Sequence, residues 1–251
     1  MNYSEHRHAL SKSAQLILCV LIALLSLVIL LLGGRLLLAG INEYRASSFL
    51  SDWEDKRQTP SDRAWQVAEQ AMRKAISWYP AVNGAYAEQF GYMWQWRGYG
   101  ANPQQASTQG YQQQALQQFR QATALRPSWP YAWSGLAYAK LVAGEFDQEF
   151  NHAMQQAAHY GPSRIGINQR LAEIGLISWP KLSAELRELT LAQARYTARY
   201  SLQARQQLFA LAHELNRVEL LCEYLKDGIK PCNSEPAEST AKPAPLSTLA
   251  Q

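Results

Sequence analysis

The residues of this chain best suited to hold a ligand are aromatic rings set beside cations. Trp94, Trp96, Arg97 and Tyr99 make one such group, and Arg126, Trp129 and Tyr131 make another. An indole or phenol can stack on a sugar face or anchor a partner helix, and a guanidinium adds charge-assisted bonds to an acidic ligand. The competing reading packs these rings into interhelix turns. Register places Trp133 in the core, while Trp129 and Tyr131 suit either place. Catalytic groups are scarce by comparison. Glu145, Asp147, Glu149 and Glu173 could put carboxylates in a groove, as any solvated helix surface does. His152 and His159 lie seven residues apart with Glu149 near the first, His213 stands alone, and His6 and His8 precede a long apolar run. None of these makes a metal set. No nucleophile motif, phosphate loop or dinucleotide fingerprint occurs, and Gly98 and Gly100 lack the Lys and Ser/Thr of a phosphate loop. The expectation is a protein without catalytic residues, cofactor or metal.

Cys222 and Cys232 stand ten residues apart, and Cys19 falls within the apolar run. In an oxidising compartment the pair would form a disulfide, pinning the last helix to the turn 227–231; in a reducing one it would stay as two thiols.

The elements that must position these groups follow from composition and pattern. Charged residues are 18% and aromatic residues 11% of the 251, which favours an ordered, packed body over disorder. A net charge of +4 without any Lys/Arg block excludes a nucleic-acid binder. The uncharged run 14–34 is 21 residues long, enough for a helix to cross a hydrocarbon core of about 30 Å. It is longer than a signal-peptide core and is followed by only a weak cleavage site, so it reads as an uncleaved anchor. Arg7 and Lys12 before the span nearly balance Arg35 and Arg45 after it. The short basic tail suits the cytoplasm, which would export the body.

Past the anchor, one helical pattern recurs. Ala68-Met72-Ala75-Pro80, Ala115-Phe119-Ala122-Pro127 and Phe150-Met154-Ala157-Pro162 share offsets of four, three and five residues. This is the second-helix signature of a tetratricopeptide repeat, with Trp133, Leu136 and Ala137 in first-helix positions. Pro80 to Pro127 spans 47 residues and Pro127 to Pro162 only 35, so an insertion is expected near 97–110 as a loop and candidate binding element. The chain therefore divides into a tail (1–13), a transmembrane helix (14–34), a juxtamembrane helix and linker (35–60), repeats (61–180), a helical cap (181–232) and a disordered tail (233–251). Ile41, Tyr44, Phe49 and Trp53 should form the less polar side of the juxtamembrane helix, and 202–225 should be one long helix. The fold class is all-α: a single transmembrane helix followed by a tetratricopeptide-like α-hairpin solenoid with C-terminal capping helices.

The stretch Arg126-Pro127-Ser128-Trp129-Pro130-Tyr131-Ala132-Trp133, with Gly144-Glu145-Phe146-Asp147, Ala157 to Pro162 and Leu221-Cys222, resembles the VpsP family. These are small membrane-anchored helical proteins associated with bacterial exopolysaccharide biosynthesis loci. Ser163 and Arg164 depart from the aromatic-acidic pair that often follows Gly-Pro there. The resemblance implies a membrane-anchored protein with an accessory role in making, polymerising or exporting polysaccharide and no catalytic residue; with the tail reading, the expected location is the inner membrane, single-pass, with the body periplasmic. The expected partners are the bilayer and envelope proteins held by a scaffold. The alternative is a carbohydrate-binding module with a Trp/Tyr-lined groove.

Overall fold

The computed structural model describes residues 12–102, 105–225 and 232. Most of the expected N-terminal tail, the turn 227–231 and the tail 233–251 lie outside the described residues. Ten α-helices run through the described part: α1 (Lys12–Lys56), α2 (Asp62–Trp78), α3 (Gly84–Arg97), α4 (Ala106–Leu125), α5 (Pro130–Ala143), α6 (Gln148–Tyr160), α7 (Ile165–Ser178), α8 (Ala184–Tyr200), α9 (Leu202–Glu214) and α10 (Val218–Leu225). Their ends follow local chemistry. Ser61, Asp147, Ser183 and Ser201 cap α2, α6, α8 and α9 through side-chain oxygens that accept from the first-turn amides. Gly144 closes α5 in the left-handed conformation, φ 73°.

Helices pack chiefly in consecutive pairs, α1 with α2, α3 with α4, α5 with α6 and α7 with α8. The odd-numbered helices also touch one another in order, α1 to α3 to α5 to α7 to α9. The architecture is all-α and repeat-like. Phe119 shows why the glycines matter: it is fully buried, and a Cβ on Gly91 would approach its ring to 2.9 Å while one on Gly135 would overlap it. Three helices thereby close on a single ring. Met72, Met154 and Ala122, from the recurring pattern, are also fully buried. A second core, around Ala172, Leu176, Leu208 and Leu221, joins α7 to α8, α9 and α10.

Three expectations change. The helix of the apolar run continues through the segment after it: α1 is one helix, long and apolar enough to cross a membrane, and its second half is part of the body. That half turns Ala39, Asn42, Ala46, Leu50 and Trp53 inward, while Ile41 and Tyr44 are exposed. The inward face contains small residues where α2 lies close; of the expected side, Trp53 is buried and Phe49 packs against the core, while Ile41 and Tyr44 do not turn inward. The insertion near 97–110 is a tight turn followed by the early turns of α4, which starts at Ala106, so only a short segment loops. The stretch 202–225 breaks at Leu215–Arg217, where Asn216 takes φ 56° and α9 gives way to α10.

Candidate functional site

A cavity of about 270 Å³ opens where α1, α3, α4, α5 and α7 converge. Its aromatic wall is Tyr92, Trp94, Trp96, Tyr99 and Tyr138; Glu54, Gln95, Thr108, Gln112 and Arg170 supply polar groups. The odd helices deliver most of these side chains, four of them from the last turns of α3, and α4 adds Thr108 and Gln112.

The polar groups are held in an apolar setting. Burial pushes the Glu54 carboxyl up to about 7, against a hydrogen bond from Trp96 and the charge of Arg170. Arg170 stacks on Tyr138, 4.8 Å from its ring centre, within range of Glu54 and Glu173. Burial likewise raises Glu173 to about 7, opposed by Arg170. Tyr138 is pushed up to about 12 and Tyr92 higher still, both mainly by burial. The Tyr92 hydroxyl donates to the Tyr131 carbonyl at 3.2 Å. Two cavity residues keep unmet hydrogen-bonding capacity: Trp94 Nε1 (residue 8% exposed) and Thr108 Oγ1 (2% exposed) have no protein partner. Both atoms are enclosed by protein, as are unpartnered polar atoms of Arg97, Trp129 and Gln193 away from the cavity.

The sequence candidates divide between two places. Trp94, Trp96 and Tyr99 line the cavity. Arg97 does not: it pairs with Asp62, donates to the Pro60 carbonyl and lies over Trp65 and Tyr111, which ties α3 to the start of α2. Arg126, Trp129 and Tyr131 stand together elsewhere. The Arg126 guanidinium lies 4.3 Å from the Trp129 ring centre and pairs with Glu88 at 3.0 Å, and Arg164 covers Trp129 and Tyr131 from its own turn. This cluster clasps two turns together. Trp133 is half-buried, its indole donating to the Pro127 carbonyl at 2.7 Å. The carboxylates of 145–149 are also committed to structure: Lys140 Nζ is fully buried and meets Glu145, Asp147 and Glu149 at 3.0, 2.8 and 2.7 Å. Arg120 and then Lys140 hold Glu149 down to about 2. His152 packs edge-on to Trp133. Among the described residues no cluster of His, Cys, Asp and Glu could hold a metal. Cys222 and Cys232 form a disulfide, Cα to Cα 5.2 Å.

Glu54, Tyr92, Thr108, Tyr138 and Arg170 carry no motif and were not among the sequence candidates. One signal pointed their way: Arg170 and Glu173 sit three apart in a helix otherwise built from Ile167, Leu171 and Ile174. Charges on such a helix face a cavity or each other. Comparison of the chain with protein-family models, curated proteins and solved structures returned no match.

Proposed function

We propose that this protein is a membrane-anchored, tetratricopeptide-like helical-repeat protein whose cavity binds a sugar unit of a bacterial envelope polysaccharide. The observation that carries the reading is the cavity itself. Flat aromatic faces stand beside a carboxyl, a guanidinium and two amides. A pyranose has the matching surface, with an apolar face ringed by hydroxyls. The volume is just under the roughly 300 Å³ at which drug-sized pockets begin, so it suits one ring better than an extended peptide. For this reason we favour glycan binding over the protein-partner scaffold, which the stacked hairpins would also suit.

The run of α1 as an uncleaved transmembrane anchor is supported by its exposed apolar surface and by its continuity with the body. A periplasmic body agrees with the disulfide, which needs an oxidising compartment. The VpsP-like role, an accessory to exopolysaccharide assembly in the inner membrane, rests on the sequence resemblance of the Arg126–Trp133 stretch.

Titrating the full chain in nanodiscs with glucose, N-acetylglucosamine, glucuronate and short oligomers of each tests the reading. Trp94 and Trp96 line the site, so binding should give a saturable change in indole fluorescence, which Thr108→Val and Tyr99→Ala should weaken. No saturable change with any of these sugars would refute it.

A further inference from the structure

The turns that lead from even- to odd-numbered helices form one continuous edge of the body. Arg35 of α1 donates to the Trp78 carbonyl at 3.2 Å, which sets the α2–α3 turn beside the end of the apolar run. Gly84, opening α3, abuts Leu125 and Arg126, so the α4–α5 turn comes next. Arg164 over Trp129 joins the α6–α7 turn to it. Gly175 touches Thr190 and Arg187 donates to the Trp179 carbonyl, contacts that fix α7 and α8 antiparallel and bring Tyr200 level with Ile165.

This edge has its own composition. Outside α1, nine large hydrophobic side chains among the described residues are exposed, and eight lie in these turns or within about one helical turn of them. Val82 and Leu202 are 67% and 66% exposed, and Trp78, Leu125, Tyr160 and Tyr200 stand out beside them. The ninth, Val142, lines the cavity near the other end of α5. The segments 76–85, 124–131, 158–166 and 196–204 contain no Asp or Glu, but hold Arg126, Arg164 and Arg199. The five turns at the opposite edge, within 54–62, 97–106, 143–149, 178–185 and 214–219, hold nine acidic residues.

We infer that this edge lies on the surface of the bilayer that α1 enters, its Trp, Tyr and aliphatic side chains at headgroup depth. Exposed aromatic and aliphatic side chains without carboxylates are the composition of an interfacial belt. Continuity argues for the same occupant. Leu36, Leu37, Leu38 and Ile41 are exposed beyond Arg35 on the body side, so the lipid-facing surface of α1 extends roughly 9 Å past the level of the α2–α3 turn. A turn at that level is within reach of the bilayer.

The inference rests on the anchor reading, and one experiment separates the two. The full chain with Cys19→Ser, its disulfide kept, is placed in nanodiscs of phosphatidylcholine and phosphatidylglycerol. Nitroxides are attached singly through Leu24→Cys, Val82→Cys, Leu202→Cys and Lys181→Cys, and their access to oxygen and to a nickel chelate is read by power saturation. All four positions are exposed, so labelling spares the core. Labels at 24, 82 and 202 should be rich in oxygen and poor in nickel, and the label at 181 the reverse. Labels at 82 and 202 as nickel-accessible as the one at 181, with 24 still in lipid, would overturn the docking alone. A nickel-accessible label at 24 would overturn the anchor, and the docking with it. Dipolar broadening at 82 and 202 that vanishes on dilution with unlabelled chain would show a second copy covering the edge, and would also overturn it.

Discussion

Replacing Glu173 by Gln should stabilise the protein at alkaline pH and leave it unchanged in acid. Glu173 is 7% exposed, its Oε1 has no partner, and only the charge of Arg170 opposes the desolvation of its carboxylate. Its pKa rises from 4.5 unfolded to about 7 folded. The folded chain therefore binds this proton more tightly than the unfolded chain does. The side chain makes no pH-dependent contribution below 4.5, becomes progressively destabilising between 4.5 and about 7, and levels off above that. At 1.36 kcal/mol per pH unit, the full effect is roughly 3 kcal/mol. Glutamine mimics the protonated form, so Glu173→Gln should gain about that much at pH 8 and almost nothing at pH 4.5. For a body of this size that is on the order of 6–12 °C in Tm. The assay is urea unfolding of the full chain in detergent, followed by Trp fluorescence across that pH range, with Glu54→Gln as the companion variant. The companion should move in the same direction by less, since Glu54 is only partly buried. A Glu173→Gln protein no more stable than the parent at pH 8 would refute the reasoning.

Two further outcomes come from the packing. Gly135→Ala drives a methyl into the buried Phe119 ring and should destabilise by about 1–3 kcal/mol or more, measured by the same unfolding assay, whereas Gly144→Ala meets no neighbour and should lose only what its positive φ demands. Cys222→Ser opens a ten-residue covalent loop and should destabilise by roughly 3 kcal/mol, with loss of amide protection confined to α9 and α10.

The helical pairing was legible in the sequence because small and apolar residues recur at fixed offsets before prolines, and the proline and capping signals set most helix ends within a few residues. Ala68, Phe119 and Met154 are in the core for the reason their spacing gave. What escaped was determined between elements. The inward face of α1 is chosen by how closely α2 approaches, and Ala39 and Ala46 win over the more apolar Ile41 on that ground. The split at Asn216 needs no proline or glycine, only a residue that tolerates positive φ. Half the cavity was visible as Trp94, Trp96 and Tyr99. The other half comes from Glu54 and Arg170, 116 positions apart in the chain, which only the stacking of odd helices brings together. Local spacing also could not separate Arg97 from its aromatic neighbours, although one turn of helix sends it to Asp62 on another side.

The unbroken course of α1 has a mechanical consequence. Its 45 residues make a rod of about 68 Å whose second half is the first member of the stack, so under the proposed function there is no swivel between anchor and cavity. Ile41 to Glu54 spans about 20 Å of that rod, which under the same proposal sets a fixed standoff between lipid and cavity, as a gauge block would. A thicker or thinner bilayer that makes the rod lean must lean the cavity by the same angle.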